Sequence, residues 1–125
     1  MKMLTWAVQI LLAAAFLMAG FIKSAQSIEQ LSAMLPWAKD VPATLVRFIG
    51  ISELAGGLGL LLPWLTGIRR NLTPLAAWGL VLVMAMAAVF HAARGEFSAL
   101  PNNLILGGLA AFVAIRRRRD LNTKI

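Results

Sequence analysis

The chain has no cysteine and no tyrosine, one histidine, and 5 acidic residues against 12 basic ones. Each shortage closes a class of function. Without cysteine this chain holds no disulfide, no thiolate nucleophile and no cysteine-ligated zinc or iron–sulfur cluster. A single histidine offers a haem at most one imidazole, and His91 with the scattered carboxylates Glu53 and Glu96 lacks the close spacing of a metal site. Both aspartates lie outside the apolar runs, so a Ser-His-Asp triad has no third member, and Ser52 stands in no nucleophile signature. The glycines at 56, 57 and 59 follow no strand pattern and precede no P-loop lysine, so they are packing residues rather than a phosphate loop. The net charge of +7 gathers at the ends of apolar runs and forms no basic face with interleaved stacking aromatics, which argues against nucleic acid as a partner.

What the chain does have is hydrophobic length. Sixty per cent of its 125 residues are hydrophobic and its mean hydropathy is +0.80, whereas soluble domains are about 45–50% apolar. Apolar runs at 4–22, 45–65 and 74–93 are each long enough to cross a bilayer; the fourth span, 99–115, is apolar only from Leu104 and suffices if its polar start is buried by protein. They predict an all-α integral membrane four-helix bundle, one transmembrane domain over 1–125 that ends in a basic tail at 116–125. The basic start is not read as a signal peptide, because its apolar run is long and three more follow.

Between the first two runs, Ile28, Leu31, Met34 and Leu35 recur at helical spacing among polar residues. This predicts a short amphipathic interfacial helix over about residues 25–35. Pro36 and Pro42 stop it, and Trp37 suits the headgroup level. A plain connector and a lid over the bundle mouth are both open readings. Pro63, Trp64 and Gly67 mark the end of the second span, Pro74 fits the first turn of the third, and Arg116–Arg119 are expected to end the fourth.

Four spans place both termini on one side. That side holds Lys2, Arg69, Arg70, Arg116, Arg117, Arg118, Arg119 and Lys124 against Asp120, while the other balances Lys23, Lys39, Arg47 and Arg94 with Glu29, Asp40 and Glu96. The positive-inside rule then predicts a multi-pass protein of a bacterial inner membrane with both termini in the cytoplasm. Trp6, Trp64 and Trp78 form an inner belt, and the arginine run anchors the topology and attracts anionic headgroups. Gln9, a lone polar residue in the first span, is expected to bond a neighbouring helix.

Glu53 is the residue that most needs a reason. A carboxylate at bilayer depth costs roughly 2.5–3.5 kcal/mol on insertion scales, and Glu53 lies about eight residues, some 12 Å, below the outer start of its span. The topology brings Lys23, His91 and Asn103 to the same outer half. Glu53 shares a helical face with Ile49, Gly56, Gly57 and Leu60; His91 with Met84, Ala87 and Ala88; Asn103 with Gly107, Ala110 and Ala114. Such small faces suit a narrow cavity for a lipophilic molecule with a polar head. In one reading Glu53 and His91 are catalytic acid/base groups, with Lys23, Asn103 and Glu96 binding. In the other, a Lys23–Glu53 pair, or a protonated Glu53 bonded to His91 or Asn103, fixes helix register.

The stretches AGFIKSAQS, IGISELAGGLGLLLPWL, FHAARGE and PNNLILGGLAAFVAIRRR, taken in order, resemble the DoxX-like family of small bacterial four-helix membrane proteins. Lys23, Glu53, His91, Glu96 and Asn103 match that family's polar landmarks. The family is named for a subunit of a thiosulfate:quinone oxidoreductase, and relatives are linked to redox-stress complexes. The resemblance implies a redox-associated membrane component, with a quinone-like or isoprenoid molecule as candidate ligand and a quinone as candidate cofactor. Implied partners are membrane lipids and a redox partner protein or a second copy of the chain. A stand-alone isomerase-like enzyme and a non-catalytic subunit or scaffold are the alternatives.

Overall fold

The computed structural model describes residues 2–123. Five helices follow in order: α1 (Lys2–Ala25), α2 (Ile28–Met34), α3 (Ala43–Thr66), α4 (Leu72–Ala93) and α5 (Leu100–Thr123), with one-turn 3-10 segments at Pro36–Lys39 and Phe97–Ala99. The four long helices are each apolar and long enough to span a membrane, and α2 lies between the first and second of them. The Lys2 side chain and residue Lys124, both counted in the charge asymmetry, lie outside the described residues.

Close glycine contacts set the register. A Cβ on Gly20 of α1 would lie 2.6 Å from Gly50 O of α3, and one on Gly57 would lie 2.8 Å from Leu17 Cγ. On the adjacent face of α3, Gly56 meets Leu80 and Gly59 meets Ala76 of α4, and Gly107 of α5 meets Met84 of α4. Residue numbers rise on one helix as they fall on its neighbour, so the pairs are antiparallel. Both termini therefore sit at one end, here the terminal end; the opposite end, with α2, is the distal end. The missing side chains let α1, α3 and α4 approach at backbone distance, as membrane helices must to gain packing energy without a solvent-driven core.

The bundle is turned inside out relative to a water-soluble domain. Leu11, Met86 and Val89 are 63–71% exposed, while Gln9, Glu53, Thr73, Asn103 and Arg117 are buried. Apolar side chains that face lipid and polar ones that face each other are what a bilayer demands. The buried apolar cluster is correspondingly slim, built on Leu12, Phe16, Leu60, Leu80, Val113 and small alanines.

One expected helix end agrees and one differs. Pro63 lies inside α3, which runs on to Thr66 and stops at Gly67 with a left-handed φ of 73°. A proline in the last turn removes one N–H, leaving the carbonyl four residues earlier, Gly59 O, without its helical donor. Thr73 Oγ1 of α4 donates to that oxygen at 2.8 Å, which replaces the lost bond. By contrast, α5 does not end at Arg116–Arg119 but continues to Thr123, since arginine is a good helix former. The interfacial helix is confined to Ile28–Met34 and capped by Ser27, whose side chain accepts from Gln30 N. Its Leu31 is buried with Ala38 and Val46, and Ile22 of α1 packs against them. Met34, expected on the same stripe, is exposed.

Candidate functional site

At the distal end, Lys23 and Glu53 meet. Lys23 Nζ donates to Glu53 Oε1 at 2.8 Å; the Glu53 side chain is 2% exposed and that of Lys23 16%. The glycine register places Glu53 level with Gly20, so the lysine extends inward by about one turn to reach it. The long aliphatic stem carries the charged head to the depth of the buried carboxylate. Arg47 of α3 donates to Lys23 O at 2.9 Å and Gln26 O at 2.5 Å. It thereby satisfies carbonyls that the end of α1 leaves without helical donors.

His91 belongs to a second set at this end. His91 Nδ1 and Glu96 Oε1 are 2.8 Å apart, and Arg94 Nε lies 3.1 Å from the same oxygen. Arg94 Nη2 reaches Asp40 Oδ2 at 2.6 Å. Trp37 meets Phe90 and His91 edge-on at 5.8 and 6.3 Å. The segment after α2 is thus latched to the end of α4 by one ion pair and an aromatic contact. Glu96 is held below the ordinary carboxylate range, chiefly by its hydrogen bond with His91. Arg94 is held above its ordinary value, chiefly by its bond to Asp40.

The expected site residues therefore fall into separate groups. Glu53 bonds Lys23, His91 bonds Glu96, and no hydrogen bond joins the two pairs among the described residues. Asn103 is 7% exposed and its Nδ2 is buried without a partner; since Gly107 packs on Met84, the antiparallel register sets Asn103 beside Ala87 and Ala88. Ser24 Oγ is a second buried, unpartnered group at this end. A surface depression of about 400 Å³ is lined by Ala85, Met86, Val89 and Phe90; Glu53 does not line it.

The terminal end holds a polar network in which Gln9 bonds a neighbouring helix as expected, and in which the part of Arg117 was not expected. Arg117, 2% exposed, donates from Nε to Gln9 Oε1 at 2.7 Å and from Nη1 to Asp120 Oδ2 at 2.9 Å. Gln9 Nε2 in turn donates to Leu60 O. The Arg117 guanidinium also lies 4.4 Å from the Trp64 ring centroid and 5.0 Å from that of Trp6. Two polar side chains from neighbouring helices, Gln9 and Thr73, thus converge on the carbonyls beside Pro63. One available signal was spacing: Ala110, Val113, Ala114 and Arg117 form a single i, i+3, i+4, i+7 stripe, all of it buried.

The family model for the DoxX-like family matches residues 7–113. This chain belongs to the DoxX-like family. No curated protein and no solved structure matches it. In this DoxX-like protein, Lys23, Glu53, His91, Glu96 and Asn103 all lie within the matched stretch, whereas Arg117 and Asp120 lie beyond its end.

Proposed function

We propose that this multi-pass membrane protein binds a lipophilic molecule with a polar, oxygen-bearing head, of the quinone-like or isoprenoid class, at the Lys23–Glu53 pair. The observation that carries this reading is an ammonium with one of its donors in use. Among the described residues Lys23 makes a single side-chain hydrogen bond, to Glu53, while an ammonium carries three N–H groups. The two others are available to a carbonyl or hydroxyl oxygen, in surroundings dry enough to strengthen the bond. Glu53 holds the cation in place and can exchange a proton with a bound oxygen through it. The buried Ser24 hydroxyl and Asn103 Nδ2, which have no partner among the described residues, offer further hydrogen bonds at the same end.

We propose a redox-associated setting for it, as the family resemblance implies, in which electrons are carried by a partner protein and this chain receives the small molecule in the membrane. The charge asymmetry supports a bacterial inner membrane with both termini cytoplasmic. The test is mass spectrometry of organic extracts from full-length protein purified in mild detergent, wild type against Glu53→Gln. A quinone or isoprenoid enriched with wild type and lost from the variant is the expected result. Equal extracts from two equally folded proteins would remove the site. A Leu121→Cys variant should resist impermeant thiol reagents on intact cells; labelling there would reverse the orientation.

A further inference from the structure

The terminal end gathers more positive charge than it neutralises, on one buried arginine, Arg117, and two half-buried ones, Arg70 and Arg116. Arg70, Arg116 and Arg117 cluster there, close enough for the charges of Arg70 and Arg116 to act on Arg117. Arg70 and Arg117 both lie over Trp64, at 5.2 and 4.4 Å from its ring centroid. Beyond Glu96 the sequence has a single acidic residue, Asp120, and it bonds Arg117 Nη1. Three guanidinium nitrogens remain buried with no hydrogen-bond acceptor among the described residues: Arg70 Nε, Arg116 Nε and Arg117 Nη2. A buried N–H without an acceptor costs about 1–3 kcal/mol, and more when charged. Like charges gathered in a partly dry site add repulsion. The arrangement becomes favourable once an anion with several oxygens enters it.

We infer that Arg70, Arg116 and Arg117 form a binding site for a phosphate group, as borne by an anionic lipid headgroup or a free phosphate compound. The planar guanidinium fork matches phosphate oxygens, and Trp64 keeps two of the three forks in place by stacking. The site differs from diffuse attraction to the basic run. Arg118 and Arg119 belong to the same run but are exposed; they line a separate depression of about 300 Å³ with Trp78 and Ile115. Helix geometry divides the run, turning Arg116 and Arg117 toward the bundle and the next two away.

The experiment compares two variants that each lose two positive charges, Arg70→Gln/Arg116→Gln and Arg118→Gln/Arg119→Gln. Full-length protein in mild detergent is titrated with phosphatidylglycerol, phosphatidylcholine and inorganic phosphate. Melting temperature and the lipid retained in native mass spectrometry are read. Wild type and Arg118→Gln/Arg119→Gln should be stabilised saturably by phosphatidylglycerol, and Arg70→Gln/Arg116→Gln should bind it roughly a hundredfold more weakly. Without ligand the latter should melt at or above wild type, because Arg70 and Arg116 make no side-chain hydrogen bond among the described residues and repel Arg117. A purely structural role would lower that melting temperature instead. Competition by inorganic phosphate would assign the site to free phosphate compounds, and its failure to the lipid headgroup. Equal responses from both variants, or equal stabilisation by phosphatidylcholine, would overturn the site. Should the double variant not fold, Arg116→Gln alone carries the same comparison.

Discussion

The two ends of the bundle solve the same problem with different chemistry. At the distal end charge is neutralised locally: the buried Glu53 by the half-buried Lys23, and the exposed Arg94 by Asp40 and Glu96. At the terminal end a buried cation is shared among weaker partners, an amide, one carboxylate and two indole rings. A paired charge is neutral as a unit, fixes helix register and keeps its spare donors for an uncharged oxygen. A shared one leaves unsatisfied N–H groups and an excess of positive charge. The difference separates a site suited to the neutral oxygen of a lipophilic head from one suited to an anion.

The largest expected effect comes from breaking the distal pair on one side. Lys23→Met leaves Glu53 buried and uncompensated, a loss of roughly 3–5 kcal/mol. Lys23→Met/Glu53→Leu should recover most of it, because two apolar side chains of similar volume remove both desolvation penalties. Thermal unfolding of the two variants in detergent checks this. A double variant as unstable as the single one would mean the pair does not account for the cost.

At the terminal end the expected effects are smaller and shared. Gln9→Leu leaves Arg117 Nε and the outward bond to Leu60 O unmade, and about 1–3 kcal/mol should be lost. Thr73→Val keeps the shape of the side chain and removes the donor that serves Gly59 O beside Pro63. A loss of about 1 kcal/mol is expected, and pairing it with Pro63→Ala, which restores the helical donor, should cancel much of it. If Thr73→Val costs the same with and without Pro63, the hydroxyl is not compensating for the proline.

The smallest effect is one of pH on the distal latch. The carboxyl of Glu96 is depressed below its ordinary value of 4.5 in the folded protein. Its contribution is therefore complete above the ordinary carboxylate range and fades as pH falls through the depressed folded value. Acidification should increase amide exchange around Trp37 and Asp40 in wild type and less so in Glu96→Gln. Identical acid responses would detach Glu96 from the latch.

The four apolar runs were legible because hydropathy and length are local properties of a chain. So was the exceptional status of Glu53, a charge inside such a run, and its juxtaposition with Lys23 followed from counting turns along antiparallel spans. The end of α3 near Gly67 was legible too, but not how the helix passes Pro63 to reach it. Whether α3 can continue depends on Thr73, a donor on another helix. Arg117 was hidden for a similar reason. Four arginines at the end of a run read as an anchor, and the partner that draws one of them inward, Gln9, stands 108 positions away. The separation of His91 from Glu53 was also beyond reach: both fall in the same half of the bundle, but Glu96 and Trp37 engage the histidine first. That choice depends on how the α4–α5 turn and the segment after α2 dock, and neither has a repeating pattern to read.

The most direct test of the ligand-receiving role of the Lys23–Glu53 pair uses the variant that removes the charge and spares the fold. Lys23→Met/Glu53→Leu and wild-type protein, purified identically, would be extracted and analysed by mass spectrometry beside their melting curves. The account predicts similar melting and a quinone-like or isoprenoid molecule held by wild type alone. The same molecule retained by the apolar variant at the same occupancy would contradict it.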